Sequence, residues 1–216
     1  APVLSADQNY LFFTSRRQET TGGQKDDLGN YMEDIYMCTK TATGWSKAVG
    51  IGPPVNTDYN EATIGISPDG QTILIYKDDN GDGNIYSTTL SGDVWGTPVK
   101  LNENVNSKYW EPSGFISADG STLYFISDRP GGYGGRDIYM SKLTPEGDWG
   151  KAVNLGPNIN TPEEEDAPFI HADGVTLSFS SNGHNTIGGF DVFTSILSDD
   201  GTWSEPINAG YPINTT

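Results

Sequence analysis

The sequence has 216 residues, with 29 acidic against 12 basic side chains and a formal charge of −17. That length suffices for one large all-β domain or two small ones with a buried core. The negative field repels polyanions, which excludes nucleic acid as a partner class and leaves cations, basic proteins and neutral glycans open. Cys38 is the single cysteine, so an internal disulfide and a cysteine-based metal centre are excluded. No apolar run reaches the roughly 18–20 residues that a membrane span needs. The chain opens on "APVLSADQ", without Met or a recognisable signal peptide, and reads as a mature or excised piece.

Four markers recur in the same order along the chain. Residues 1–60 carry "SADQ" (Ser5–Gln8), "DIY" (Asp34–Tyr36), Trp45 and "PPVNT" around Asn56. Residues 61–110 repeat them as "SPDG" (Ser67–Gly70), "NIY" (Asn84–Tyr86), Trp95 and "ENVNS" around Asn106. Residues 111–164 give "SADG" (Ser117–Gly120), "DIY" (Asp137–Tyr139), Trp149 and "PNINT" around Asn160. Residues 165–216 give "HADG" (His171–Gly174), "DVF" (Asp191–Phe193), Trp203 and "YPINT" around Asn214. The tryptophans are 50, 54 and 54 residues apart.

Each unit predicts four short antiparallel strands. In the third unit these are "SGFIS", "TLYFIS", "DIYMSK" and "WGKAVNL", joined by an Asp-Gly turn and polar loops. No stretch sustains a 3.6-residue apolar period, so helix is nearly absent. A repeat of about 50 residues with four strands predicts a β-propeller of four blades, one per unit. Two forms stay open: four blades as one compact unit, or as a portion of a larger ring. Oligomeric state is open with them.

These residues resemble the TolB-type, WD-like β-propeller repeat. The resemblance rests on Ser67–Gly70, on Ser127–Arg129 with the following Gly-Gly, and on Asp137–Tyr139, and it covers all four units. The forms "SDRPGGYGGRDIY" and "LGPNINTPEEEDAPF" are similar to propellers of bacterial cell-envelope proteins. Those are often joined to an outer-membrane-protein-A-like, peptidoglycan-binding domain, and one is a component of the type IX secretion machinery. The resemblance implies a periplasmic, outer-membrane-associated or extracellular location and a protein partner. The sialidase Asp-box is different, because it has a residue between Asp and Gly where "SPDGQT" has none.

Four groups of residues are candidates for function. In "KDDNGDGNIY", Asp78, Asn80 and Asp82 alternate before Gly83, as in the first half of a calcium loop. The twelfth position is Thr89 in place of a bidentate Glu, so a calcium turn and a plain hairpin turn both stand. Glu61, Glu111 and Glu165, with Asp166, each precede a first strand and are placed near one mouth of a propeller channel. They either meet a cation or basic partner or accept backbone hydrogen bonds from a neighbouring blade. Tyr109 and Trp110 form an aromatic pair on an interblade loop, suited to a protein or a sugar ring. The loop Ser15–Asp34 is about ten residues longer than its equivalents and sets Arg16 and Arg17, with Lys25, on an acidic protein.

Residues 127–142, "SDRPGGYGGRDIYMSK", hold four glycines in a loop that resembles a phosphate cradle. A cradle needs a helix N-terminus behind it, whereas "DIYMSK" alternates as a strand. No catalytic constellation emerges: His171 and His184 fit no HExxH spacing and there is no G-x-S-x-G elbow. The expected function is a non-catalytic protein-binding or scaffold propeller of the bacterial envelope, within a secretion or peptidoglycan-associated assembly. The alternative is a calcium-dependent carbohydrate-binding or carbohydrate-active propeller.

Overall fold

The computed structural model describes residues 2–78 and 83–216. It is all-β, with four antiparallel blades of β-propeller type. Blade 1 holds β1 (Val3–Leu4), β2 (Tyr10–Arg16), β3 (Glu33–Thr41), β4 (Gly44–Trp45) and β5 (Val49–Gly50). Blade 2 holds β6 (Glu61–Ile66), β7 (Thr72–Lys77), β8 (Asn84–Ser91), β9 (Val94–Trp95) and β10 (Val99–Lys100). Blade 3 is β11 (Gly114–Ile116), β12 (Thr122–Ser127), β13 (Asp137–Lys142) and β14 (Val153–Asn154). Blade 4 is β15 (Glu165–Ile170), β16 (Thr176–Ser181), β17 (Asp191–Ile196) and β18 (Ile207–Asn208). No helix among the described residues is long and apolar enough to cross a membrane.

The long middle hairpins follow from alternation of β-branched and aromatic residues closed by turns. Each turn aspartate accepts from the hydroxyl and backbone around it. Ser67 Oγ donates to Asp69 at 2.5 Å and Ser117 Oγ to Asp119 at 2.5 Å, while Gly70 and Gly120 take the positive φ of 70° and 73°. The outer strand is shorter than the sequence predicts. Its tryptophan does not continue into it: Trp95 pairs with Leu90 in a separate two-residue strand, and Trp149 and Trp203 make single bridges to Leu143 and Leu197.

An asparagine holds the outer loop to its blade in blades 1, 3 and 4. Asn160 accepts from the Ile138 N–H at 2.7 Å and donates to the Ile138 carbonyl at 3.0 Å, so one buried amide replaces a missing strand partner. Asn56 does the same for Ile35, and Asn214 for Val192.

The chain divides into two compact units, one ending at Leu101 and the other starting at Asn102. Each contains two blades, and its core lies at the seam between them. In the first unit Phe12, Ile35, Val55, Ile73, Ile75 and Trp95 cluster, with the Phe12 and Trp95 rings edge to face at 6.0 Å. In the second, Tyr124, Ile126, Ile138, Leu177, Phe179 and Trp203 are among the cluster, and Tyr124 meets Trp203 edge to face at 6.4 Å. Three of the four repeat tryptophans, Trp95, Trp149 and Trp203, are buried, whereas Trp45 is exposed.

Candidate functional site

The glycine loop at 131–135 does cradle an anion, and the anion is its own. Asp137, the first residue of β13, is buried and accepts from the Tyr133 N–H at 2.7 Å and the Gly134 N–H at 3.1 Å. A Cβ at Gly132 would stand 2.2 Å from the Asp137 carboxylate, and one at Gly134 would stand 2.2 Å from the Glu163 carbonyl. The glycines are there so that backbone amides reach a carboxylate. Asp34 takes the Thr21 N–H and hydroxyl in the same way, and Asp191 takes the Ile187 N–H.

The three glutamates are also internal. Glu61, Glu111 and Glu165 have no exposed surface at all. Glu165 accepts the Thr161 N–H and hydroxyl at 3.0 and 2.7 Å and the Ser181 hydroxyl at 2.8 Å. Glu111 takes Ser107 and Ser127 and pairs with Arg129 at 3.1 Å; Glu61 takes Thr57 and lies 3.5 Å from Lys77. Each ties the end of one repeat to the first strand of the next. Burial pushes the Glu61 and Glu165 carboxyls upward, against the pull of the threonine donors. Of the two roles open to these three from the sequence, the contacts seen are those of hydrogen-bond acceptors, and none of the three has exposed surface. Asp166 differs, being partly exposed and paired with Arg136 at 3.1 Å.

The two arginines of the long loop have separate roles. Arg17 lies over the stacked rings of Tyr36 and Phe13, at 4.7 and 5.4 Å, and donates to Ser15. Arg129 repeats that stack over Phe125 and Tyr139, so Arg17 serves packing. Arg16 is exposed and pairs with Asp26 at 2.8 Å and Glu33 at 3.2 Å, which organises the loop. Asp26 also accepts from the Leu28 and Asn30 N–H groups, and Lys25 sits 4.4 Å from the Tyr31 ring centre. The outcome is a braced hairpin with Leu28 at its tip, 87% exposed.

Of the aromatic pair, Trp110 is the exposed member. Trp110 is 40% exposed, its backbone N–H donates to Asp128 at 2.8 Å, and the Arg136 guanidinium lies 5.7 Å from its ring centre. Arg136 is held in turn by Glu164 and Asp166, and Trp110, Asp128, Gly135, Arg136 and Glu164 line one shallow depression. Tyr109 is less exposed and packs beside Lys108. Arg136 and Leu28 were not anticipated as contact residues. Arg136 stands directly before "DIY" at the end of the glycine loop, and Leu28 lies within the long loop Ser15–Asp34 that the sequence singles out, though nothing marks that residue itself.

Of the calcium turn, Asn80 and Asp82 lie outside the described residues; Asp78 donates its N–H to the Asn60 carbonyl at 3.2 Å. Among the described residues no cluster of three or more His, Cys, Asp or Glu is arranged to hold a metal. His171 lies beside Asp173 at the surface, and His184 is packed against Phe179 and Phe193 with its Nε2 at 2.9 Å from the Ile159 carbonyl.

Fold and surface together define a β-propeller built from four repeated blades, with carboxylates fastening the inside and a few aromatic and apolar side chains presented on loops. No family model and no curated protein matches the sequence. Solved structures do match the fold. TolB from Acinetobacter baumannii superposes with a TM-score of 0.64 at 17% identity, over all of this chain and 44% of that one. A putative TolB from Agrobacterium tumefaciens gives 0.59 at 18% identity, covering 96% of this chain and 79% of that one. A periplasmic gluconolactonase from Pseudomonas aeruginosa gives 0.50 at 13% identity, covering 95% and 71%. At these identities the likeness is one of fold, and it includes a gluconolactonase beside the two TolB structures.

Proposed function

We propose that this chain is a non-catalytic binding module of the bacterial cell envelope, working in the periplasm or at the outer membrane within a secretion or peptidoglycan-associated assembly. One observation carries the reading. The carboxylates that a hydrolase or lectin would turn to a ligand are spent on the scaffold: Glu61, Glu111 and Glu165 are fully buried and Asp34, Asp137 and Asp191 nearly so. The surface also offers Leu28, exposed on its braced hairpin, and Trp110 under Arg136, the latter two being residue types that anchor protein interfaces. The fold likeness to TolB and the resemblance of "SDRPGGYGGRDIY" to envelope propellers support the location.

A second reading follows from Trp110. Its half-open ring, with Asp128 and Glu164 beside it, also suits the face and hydroxyls of a neutral sugar. Photoreactive residues at positions 28 and 110, introduced into the full chain in envelope preparations, separate the two. Cross-linking to one protein that is lost on competition with unlabelled chain is the expected result. Retention on a glycan array that W110A abolishes would move the assignment to sugar binding. Turnover of an ester, lactone or glycoside by purified chain would overturn both readings as stated.

A further inference from the structure

One recess in the first unit is used by nothing described above. It lies at the seam between blades 1 and 2 and encloses about 350 Å³. Phe12, Met37 and Trp95 supply an apolar floor, and Asp7, Asp69 and Asp93 stand on its rim.

The innermost strands of the two units also differ. In the second unit Phe115 lies opposite Tyr124, and Phe169 opposite Ser178; the two phenyl rings meet at 4.7 Å over that seam. The positions in the same register of the first unit are Val3, opposite Phe12, and Gly65, opposite Leu74. Two aromatic rings that meet in the second unit are thus a valine and a glycine in the first, although neither of those two lines the recess.

The charge around the opening is one-sided. All three rim aspartates are exposed, and none of the described residues lining the recess is Lys or Arg. Hydrogen bonds from Ser5 to Asp7 at 2.6 Å and from Ser67 to Asp69 at 2.5 Å hold both carboxyls below their ordinary range, so both are ionised at neutral pH. Anions are repelled from such a rim. A purely apolar occupant would fill the floor and leave three like charges crowded around it. An apolar body with positive heads answers both features at once.

We propose that this recess docks a segment of a partner protein in which an apolar side chain is flanked by lysine or arginine. The proposal rests on the protein-binding reading above and names the chemistry of the partner. The three rim charges act through water-exposed pairs, so each contributes modestly and the sum depends on salt.

The test uses the full chain, isotope-labelled, titrated with acetyl-Lys-Phe-Lys amide and with acetyl-Gln-Phe-Gln amide as the neutral control. The expected result is amide shift changes confined to Asp7, Gly70–Gln71 and Leu90–Trp95 for the lysine peptide only. D93N, which leaves the turns intact, should weaken binding about two- to fivefold. Q71R, which sets a guanidinium on the rim, should weaken it further, and raising salt from 20 to 300 mM should do the same. Equal binding of the neutral peptide, shifts confined to the Trp110 surface, or no shifts at all would overturn the proposal. If that happens while capture at position 28 or 110 persists, the protein-binding reading survives and only the recess is withdrawn. Loss of capture with the peptide still bound at the recess would instead remove those two loops as the contact.

Discussion

The two units are built from the same repeat and finished differently. In the second, the seam is closed by Phe115 on Phe169, and an asparagine ladder runs along the outer loops. Asn154 donates to Asp137 at 2.7 Å and accepts from Asn160 at 2.8 Å, and Asn208 links Asp191 to Asn214 in the same pattern. In the first unit Gly50 stands at the ladder position of blade 1, and Asp34 Oδ1 and the Tyr36 hydroxyl are buried without a partner. The first unit therefore combines an open seam with an unfinished polar network. A repeat can vary at such points because each blade's strands are held by their own ladders. What changes is local density and satisfaction, the properties that distinguish a surface for binding from one for packing.

Breaking the asparagine clamp should separate the units most. N160A leaves the Ile138 N–H unpaired in a buried site, takes one of two donors from the Ile138 carbonyl, which keeps the Leu155 N–H, and removes a bond to Asn154, so about 3 kcal/mol of stability should be lost. N56A removes only the two backbone bonds to Ile35, and should cost about 1 kcal/mol less. Chemical denaturation of both variants measures the difference, and equal losses would mean that the ladder contributes nothing. F115V should come next, at about 1–2 kcal/mol, since it trims a half-buried ring and gives the second unit's seam the residue found at Val3. If the recess of the first unit reflects those missing rings, F115V should also create binding of small apolar probes at the second seam, visible as new shifts around Trp203.

Much of this architecture was legible in the order of residues. Alternation in "TLYFIS" and "DIYMSK", with Asp-Gly between apolar runs, fixes strands and hairpins locally, and β12 and β13 fall there. The repeat markers located the fasteners but not their partners. Asn160 reaches back 22 residues to Ile138, and Arg129 meets Glu111 across 18, separations set by blade topology and invisible to periodicity. The role of the glutamates stays open in the sequence for that reason. A carboxylate before a strand looks the same in sequence whether it faces solvent or, like Glu165, accepts three donors in the interior. The recess was illegible too, because its lining is gathered from positions between Ser5 and Trp95, and no local pattern shows which of them leave a space between them.

A smaller and opposite effect should come from completing the first unit. Gly50 has negative φ, and a Cβ there would make only ordinary contacts with Tyr36 and Asn56, at 3.6 and 3.7 Å. G50N places an amide where Asn154 and Asn208 already have one, able to donate to Asp34 Oδ1 and accept from Asn56. Satisfying a buried orphan is worth about 1 kcal/mol, a rise in Tm of about 2–4 °C for a chain of this size. G50A, which adds the Cβ without the amide, is the control. If G50A gains as much as G50N, the benefit is one of chain entropy and the orphaned carboxylate oxygen is not an energetic defect.

The smallest difference between units is expected in their response to pH, because Glu61 in one and Glu165 in the other are both pushed upward by burial. As pH rises through the ordinary glutamate value of 4.5, the unfolded chain ionises first while the folded chain keeps its protons. The folded state then binds more protons than the unfolded state, and stability falls with rising pH until the folded carboxyls ionise as well. The turn aspartates act on the other side. Asp119 and Asp173 are held at about 2 by serine, threonine and backbone donors, so their contribution is lost as pH falls from 3.8 towards 2. A Tm profile should therefore peak near pH 4 to 5. E61Q and E165Q should each flatten the descending limb above the peak by a similar amount, and D119N should affect only the acid limb. A descending limb unchanged in both glutamine variants would mean that the buried glutamates keep ordinary titration, and that the general self-repulsion of a −17 chain alone sets the slope.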